Sequence, residues 1–280
     1  MAKYFIGAVA TFSILMLFAI TIMLFVNAFP FFGFDETSVK EFFTGTHWRP
    51  DMDNYGFLPL LWGTLLVTFI AMLFAVPIGL ASAMYLHSVA PFALRETLKP
   101  MMEILGSVPS VVYGLFGMTI LAPFVQKILD LTIGQCAAVA GITLGVMVIP
   151  LVISISEDAL ASVPKELSEA ALSLGATKWE TLVSVVIPAA KSGIWAALLL
   201  SFGRAIGETM TVLMVAGGAA QIAFSPFDPV RPMTAAIAAE MGETPAGSPH
   251  FHALFLVATV LYLITLALNL IANKYAQRPN

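Results

Sequence analysis

Six long stretches with almost no charged residues constrain this chain more than any other feature of its sequence. They cover residues 4–34, 54–94, 104–126, 131–156, 192–230 and 244–273. Only the fifth stretch is interrupted, by Arg204, Glu208 and Asp228. A helix needs about 20 apolar residues to cross the hydrocarbon core of a bilayer, so each stretch is long enough to contain one. The sequence therefore predicts six transmembrane helices, at residues 5–29, 58–86, 104–126, 134–156, 193–217 and 252–273.

The composition favours a lipid environment for these stretches. Of the 280 residues, 59% are hydrophobic and 11% are charged, whereas in soluble domains about a quarter are charged. Backbone polar groups inside a bilayer must be paired within the protein, which favours helices over open strands. The predicted fold class is therefore an all-α membrane protein. The first apolar run is too long for a signal peptide and lacks a small-x-small cleavage site, so it is interpreted as a retained anchor.

The distribution of lysine and arginine predicts that both termini are cytoplasmic. With the N-terminus inside, the inner segments hold eight of these residues and the outer segments hold four. The inner ones are Lys3, Arg95, Lys99, Lys165, Lys178, Lys191, Lys274 and Arg278, and the outer ones are Lys40, Arg49, Lys127 and Arg231. Cytoplasmic loops of membrane proteins carry an excess of these residues, so this orientation is preferred over the opposite one.

Several classes of function are excluded or disfavoured by the composition. The net charge of −4 comes without a basic tract, so no nucleic-acid partner is expected. The single cysteine, Cys136, excludes an intrachain disulfide and a cysteine-based metal cluster. His250 and His252 form an H-x-H pair without a third ligand, so we expect no metal site there. No G-x-x-x-x-G-K-[ST] phosphate loop is present. We therefore expect no catalytic residues and no bound cofactor.

The fifth predicted span carries polar residues in the middle of the membrane. Ser201, Arg204, Glu208 and Thr211 are spaced i, i+3, i+7 and i+10, which places them on one face of a continuous helix. On the neighbouring face, Gly203 and Gly207 form a G-x-x-x-G pattern that allows close approach of another helix. Such intramembrane charges usually face the interior of a bundle or a watery cavity.

Two interpretations of the charged pair remain open from the residues alone. In the first, Arg204 and Glu208 neutralise each other and hold the helix packing together. In the second, the planar fork of Arg204 binds two oxygens of a tetrahedral oxyanion. Glu208 would then hold the arginine when no anion is present, or receive a proton along with it. Buried ion pairs stabilise proteins poorly compared with apolar packing, which favours the second interpretation.

The longest predicted cytoplasmic loop, residues 157–191, has the pattern of two short helices. Pro164 suits the start of the first helix and Gly175 suits its end. Thr177 and Glu180 have the capping-box spacing T-x-x-E, which starts the second helix at Lys178. The first helix carries a compact apolar stripe of Leu167, Ala170, Ala171 and Leu174, opposite Lys165, Glu166 and Glu169. A helix that lies on a bilayer needs bulkier apolar residues and more basic ones, so docking to a partner protein is favoured.

This loop resembles the EAA loop of the permease subunits of ABC importers. The stretch "EAALSLGATKWETLVSVVIP", residues 169–188, has the E-A-A, glycine, apolar and proline positions at the spacing of that motif. The resemblance implies the type I ABC importer permease fold and a loop that docks on a separate nucleotide-binding subunit. The residues that it implies for this contact are Glu169, Ala170, Ala171, Gly175 and Pro188.

Two further stretches narrow the resemblance to permeases of phosphate-specific ABC importers. They are "GRAIGETM", residues 203–210, and "SVPSVVYGLFG", residues 107–117. The segments "MTVLMVAGG" and "MTAAIAAEMGE" are closer to the first of the two paired permeases in such importers. The resemblance implies a phosphate pathway that includes Arg204 and Glu208. Ser201 and Thr211 are included in this pathway because they share the helix face of Arg204 and Glu208. Ser107, Ser110 and Tyr113 are included because they lie in the second stretch, which matches the family.

The resulting prediction is one multi-pass inner-membrane subunit of an ATP-driven phosphate importer. Residues 1–56 form an anchor helix and the first periplasmic loop, and residues 57–280 form the permease core, with a periplasmic loop at about 218–250. The implied partners are a homologous permease subunit, in a heterodimer, two ABC ATPase subunits and an extracytoplasmic phosphate-binding protein, besides membrane lipid. The alternatives are a permease for sulfate, molybdate or phosphonate, an ion-coupled transporter with Glu208 as a proton relay, and a membrane-embedded sensory or scaffold protein.

Overall fold

The chain folds into a helical bundle in a computed structural model that describes residues 2–34 and 38–276. In chain order the helices are α1 (Ala2–Ala28), α2 (Val39–Thr44), α3 (Leu58–Ser88), α4 (Phe92–Ser107), α5 (Ser110–Phe116), α6 (Ala122–Leu129), α7 (Ala137–Ala161), α8 (Lys165–Ser173), α9 (Lys178–Thr181), α10 (Ile187–Ala189), α11 (Lys191–Ile206), α12 (Met210–Val215), α13 (Met233–Glu240) and α14 (Pro249–Ala276). Two antiparallel strands of two residues each, β1 (Trp48–Arg49) and β2 (Asn54–Tyr55), form a small hairpin before α3.

The described residues contain five helices that are long and apolar enough to cross a membrane. They are Tyr4–Gly33, Leu58–Ser88, Ser110–Leu129, Ala137–Ala161 and Pro249–Tyr275. A sixth span forms if Lys178–Ala189 and Lys191–Ile206, which meet at a bend of 70°, are taken together. The prediction of an all-α protein is therefore confirmed, with five such helices, or six if the bent pair counts as one span. The fifth predicted span, residues 193–217, is wrong in its bounds, because its helix ends at Ile206 and a new helix begins only at Met210. The proposed division between residues 56 and 57 stays a prediction.

The third predicted span, residues 104–126, is wrong in where its helix begins. The helix α4 ends at Ser107, and Val108 and Pro109 have extended backbone angles, with ψ values of 131° and 135°. Proline disfavours helical geometry in the residue before it, which ends the helix at this point. The span therefore begins at Ser110. It contains one π-turn, Gly117–Leu121, just ahead of Pro123, where the missing N–H of proline interrupts the regular hydrogen-bond ladder.

The first and last helices run antiparallel, which places their chain ends at one end of the bundle. The hydroxyl groups of Thr21 and Tyr262 lie 2.9 Å apart, and His252 Nδ1 donates to the carbonyl oxygen of Asn27 at 2.6 Å. The end of the bundle that holds the start of α1 and the end of α14 also holds residues 89–100 and 157–191, and we call it the terminal end. The opposite end, with residues 29–57 and 217–248, is the loop end. Of the residues counted for orientation, Arg278 and the side chain of Lys3 lie outside the described residues.

Small residues form the closest packing in the bundle, between α3 and α7. A Cβ atom added to Gly145 would lie 2.9 Å from the carbonyl oxygen of Ala71, and one added to Gly141 would lie 2.5 Å from the Ile70 side chain. Helices in lipid gain no hydrophobic energy by meeting each other, so close approach of backbones and the resulting dispersion contacts hold them together. The helix α7 is the most deeply buried span and supports the residues described next.

Candidate functional site

Arg204 and Glu208 form an ion pair with one buried and one open partner. Arg204 Nη1 donates to Glu208 Oε2 at 3.1 Å. The side chain of Glu208 is only 3% exposed, whereas that of Arg204 is 53% exposed. The carboxylate is therefore removed from solvent and neutralised by a guanidinium group that keeps much of its surface available. Such a fork of N–H donors suits two oxygens of a second anion.

The backbone around Glu208 is not the continuous helix that the spacing predicted. The helix α11 ends at Ile206 and α12 begins at Met210, so the four polar residues do not share one helix face. Glycine at position 207 weakens the helix. Beyond the break, the carboxylate of Glu208 accepts a hydrogen bond at 3.4 Å from the backbone N–H of Thr211, in the first turn of α12. This side-chain bond to the backbone favours the start of a new helix over continuation of α11. The carbonyl oxygen of Glu208 accepts from Thr234 Oγ1 at 2.6 Å, which fixes the break against α13.

Arg204 lines a cavity of about 330 Å³ between α4, α7 and α11. Its polar lining comes from Glu103, Ser107, Ser154 and Arg204. The apolar lining comes from Met102, Gly106, Met147, Val148, Pro150 and Leu151. This volume is at the small end of the range for ligand sites, about 300–1,000 Å³, and suits a small anion better than a large solute. Glu103 and Ser154 were not predicted, because neither belongs to a recognisable pattern in the sequence.

The other predicted pathway residues of α11 and α12 do not line this cavity, although Thr211 Oγ1 lies 3.9 Å from the sulfur of Met147, which does. Ser201 and Thr211 are both 0% exposed and are absent from the cavity lining within the described residues. Thr211 Oγ1 donates to the carbonyl oxygen of Ser110 at 3.0 Å, which ties α12 to α5. Ser201 Oγ has no hydrogen-bond partner among the described residues. Their role in a pathway stays a prediction.

The break before α5 separates the remaining predicted pathway residues. Ser107 lies at the cavity, and its Oγ donates to the carbonyl oxygen of Ile104 at 2.7 Å. Tyr113 instead bridges the break, because its Oη donates to the carbonyl oxygen of Leu105 at 2.9 Å. Ser110 contributes its backbone carbonyl to Thr211, as described above. Ser107 thus joins the cavity of Arg204, while Ser110 and Tyr113 connect helices around it.

A second group of charges lies next to this cavity at the terminal end. Glu157 is 2% exposed and accepts from Arg95 and, at 2.7 Å, from Lys99 Nζ, which also pairs with Asp158 at 2.7 Å. Its hydrogen bonds to Asp158 and Glu157 raise the pKa of Lys99 above its usual value. This cluster ties α4 to α7. The sequence contains one signal for this cluster. Arg95 and Lys99 are four residues apart just after one apolar stretch, and Glu157 and Asp158 directly follow another.

The predicted helical hairpin at the terminal end is confirmed. The helix α8 follows Pro164, Gly175 has a φ of +90°, and Thr177 and Glu180 form a complete capping box before α9. Glycine adopts a positive φ without steric cost, so Gly175 permits the sharp turn.

The hairpin presents an uncovered apolar surface. Leu174 is 90% exposed and Trp179 is 66% exposed. Glu169 and Ala170 are also exposed, and Ala171 is half-buried. From the hairpin the chain continues through a π-turn (Leu182–Val186) and the exposed Pro188 into the 70° bend that begins α11. A continuous series of helical segments therefore connects the hairpin to Arg204.

The histidines at the loop end take part in hydrogen bonding. Glu240 accepts from His250 Nε2 at 2.8 Å, from Trp48 Nε1 at 3.0 Å and from Arg231. Burial alone raises the pKa of Glu240, but the hydrogen bonds from His250 and Trp48 and the charge of Arg231 outweigh it, so the pKa lies below its usual value. Within the described residues, no group of three histidine, cysteine or acidic side chains has the arrangement of a metal site.

Comparison with known proteins assigns the class of protein. Residues 75–278 match the family described as binding-protein-dependent transport system inner membrane component, and the chain belongs to this family. Together with its apolar spans, this identifies a multi-pass protein of the inner membrane. The match includes the cavity, the Arg204–Glu208 pair and the hairpin.

Two curated relatives illustrate the similarity within the family. The chain is 37% identical to the probable ABC transporter permease protein YqgH of Bacillus subtilis, over 93% of this chain and 85% of that protein. It is 35% identical to the phosphate transport system permease protein PstC of Xylella fastidiosa strain 9a5c, over 83% of this chain and 77% of that protein.

Solved structures show the same fold in more distant proteins. A chain of the MetNI methionine ABC transporter superposes with a TM-score of 0.58 at 24% identity, covering 82% of this chain and 99% of that chain. A chain of a bacterial alginate ABC transporter superposes with a TM-score of 0.63 at 12% identity, covering 98% of this chain and 94% of that chain. The type I ABC importer permease fold predicted from the EAA-like loop is therefore confirmed.

Proposed function

We propose that this chain is a permease subunit that moves inorganic phosphate through the membrane in an ATP-driven importer. The observation that carries this proposal is the Arg204–Glu208 pair, in which a buried carboxylate holds a half-exposed guanidinium group at a small cavity. Relatives of the chain are named phosphate transport permeases, which supports phosphate as the substrate. The function is transport, with ATP hydrolysed by separate subunits.

The ion pair suits a transient anion site better than a permanent one. Glu208 already neutralises one face of Arg204, so an entering phosphate meets a guanidinium group whose charge is partly satisfied. A planar fork binds two phosphate oxygens in a defined orientation. Competition from Glu208 weakens this binding enough to permit release. Passage through a membrane requires binding that is favourable enough to enter and weak enough to leave.

Energy for transport enters through the hairpin of α8 and α9. Its exposed Leu174 and Trp179, with the motif residues Glu169 to Gly175, form a surface that fits the cleft of an ABC ATPase subunit. The continuous path through Pro188 and the bend into α11 would carry movement of the hairpin to Arg204. Alternating access then follows from the cycle of the ATPases.

The orientation and the partners belong to the same proposal. The terminal end is cytoplasmic, in accordance with the excess of lysine and arginine there. The loop end faces an extracytoplasmic phosphate-binding protein. A Cβ atom added to Gly203 would meet no atom within 4 Å, so this side of α11 is open to a helix of a homologous permease subunit. Two ATPase subunits complete the assembly.

The proposal is tested by replacing Arg204 in the complete importer. We expect Arg204→Ala to lower phosphate uptake into proteoliposomes by at least about thirtyfold, because truncating one partner of a close charge pair costs several kcal/mol. Lys127→Ala removes an exposed cation at the far end of α6 and is the matched control. Assembly is checked by co-purification of the subunits. Normal phosphate uptake by the assembled Arg204→Ala complex would refute the pathway role, and inhibition by sulfate as strong as by phosphate would refute the substrate.

A further inference from the structure

A second cavity lies on the outer side of the bundle, between the start of α11 and the end of α14. Its volume is about 600 Å³. It is lined by Pro188, Lys191, Ser192, Trp195, Leu199, Ile271 and Tyr275. Trp195 lies nine residues before Arg204, which is about half a turn around the helix. The cavity therefore opens away from the candidate phosphate site.

The lining residues change from polar to apolar with depth in the membrane. Lys191 begins α11 directly after the 70° bend, and Tyr275 ends the last apolar span, so we place both at the membrane boundary, with the segment before the bend outside the bilayer. Leu199 lies about 12 Å deeper along α11, and Ile271 about 6 Å deeper along α14, at 1.5 Å per residue. The headgroup of a phospholipid and its acyl chains have this same order from boundary to interior.

The charges and aromatic rings at the boundary indicate which lipid fits. Lys191 is exposed and has no ion-pair partner among the described residues, and the lining contains no carboxylate. Ser192 adds a hydroxyl donor. Trp195 and Tyr275 are 50% and 41% exposed, and such rings concentrate at the level of the headgroups. Basic pockets between transmembrane helices bind anionic headgroups.

We propose that this cavity binds one anionic glycerophospholipid. Its phosphate lies against Lys191 and Ser192, and one acyl chain lies along Leu199 and Ile271. Because Pro188 is part of the same cavity, the lipid occupies the 70° bend between the docking hairpin and α11. A bound lipid would stiffen this joint and so improve the coupling of ATP hydrolysis to transport. This role is separate from the phosphate pathway.

Native mass spectrometry of the complex in phosphatidylglycerol nanodiscs tests the proposal. We expect Lys191→Gln to retain about fivefold less phosphatidylglycerol than wild type, as removal of one membrane-facing cation predicts, and Lys191→Arg to retain the wild-type amount. Lys127→Gln, at the opposite end of the bundle, is the matched control. Lys191 is exposed, so its substitution leaves the packing intact.

Coupling is read in proteoliposomes with the same variants. We expect phosphatidylglycerol, added to phosphatidylethanolamine, to raise phosphate uptake per ATP hydrolysed in wild type but not in Lys191→Gln. The proposal would be overturned if wild type and Lys191→Gln retained equal amounts of phosphatidylglycerol. It would also be overturned if wild type retained as much phosphatidylcholine as phosphatidylglycerol. So would a crosslink from position 195 to the ATPase subunit instead of to lipid. Lipid retention is measured by mass spectrometry and does not require transport. A failure of the lipid proposal can therefore be distinguished from a failure of the phosphate proposal.

Discussion

Glu208 and Glu240 are both largely buried carboxylates paired with an arginine, and they differ in how completely that arginine is occupied. At the loop end, Arg231 donates to Glu240 and also, through Nε, to the carbonyl oxygen of Gly218 at 2.6 Å. Trp48 and His250 complete the hydrogen bonds of Glu240. Within the described residues, Arg204 donates only to Glu208.

This difference separates a structural network from the proposed binding site. The Glu240 network joins α13 and α14 to the β1–β2 hairpin, whose Trp48 lies 192 residues before Glu240. A fully satisfied buried network rigidifies a fold. The Glu208 pair leaves the guanidinium group 53% exposed at a cavity, so the donors that are missing a partner there can be used by a substrate. The following predictions test this comparison, from the largest expected effect to the smallest.

Glu208→Gln should affect transport more than stability. Glutamine keeps the shape of the side chain but leaves Arg204 without its counter-charge, so we expect phosphate to be held too tightly for release. Uptake should fall by about thirtyfold, because Arg204 has lost the competing charge that would weaken its hold on phosphate. Exposed Glu243→Gln is the control. Normal uptake by Glu208→Gln would show that this carboxylate, like that of Glu240, has only a structural role.

Glu240→Gln should show the reverse pattern. Glutamine cannot accept all the hydrogen bonds that reach Glu240 and removes the ion pair with Arg231, so we expect a loss of about 2–3 kcal/mol in the free energy of unfolding. Uptake per folded complex should stay near that of wild type. Thermal denaturation of the purified complex measures the first effect. Strong loss of uptake at unchanged stability would contradict the structural role.

Acid should weaken the same network. A carboxyl group whose pKa is lowered by folding stabilises the protein above its unfolded pKa, and this contribution disappears as the pH falls through the folded pKa. For Glu240 the ordinary value is 4.5 and the folded value is lower. The denaturation midpoint of wild type should therefore fall more steeply below about pH 4.5 than that of Glu240→Gln. Parallel pH curves for the two proteins would contradict this assignment.

Ser201→Ala should have the smallest effect. The Ser201 hydroxyl is buried without a partner, so its removal should change the free energy of unfolding by less than about 0.5 kcal/mol. Thr211→Val, which loses the hydrogen bond to Ser110, should cost about 1 kcal/mol. Phosphate uptake by Ser201→Ala decides its predicted pathway role, because a clear loss of uptake would place its hydroxyl on the pathway.

Short sequence motifs correctly predicted those elements that are stabilised by interactions between residues close together in the chain. The capping box of Thr177 and Glu180 and the turn at Gly175 involve residues three or fewer positions apart, and both are present in the structure. The third span was misplaced because apolar composition alone cannot show that Pro109 ends a helix inside an apolar run. The break at Gly207 was missed for a related reason, since helical spacing was assumed to continue through a glycine.

By itself, the sequence determined that this chain crosses a membrane repeatedly, carries a short helical hairpin and places an arginine and a glutamate within one long apolar stretch. These features depend on composition and on short spacings. Only the tertiary structure decided that Glu208 is buried while Arg204 opens to a cavity, and that Ser107 and Ser154 line it whereas Tyr113 does not. Those outcomes depend on the break at 207–209, on Thr234 from α13 and on how α4 and α7 meet α11, which are contacts between residues far apart in the chain.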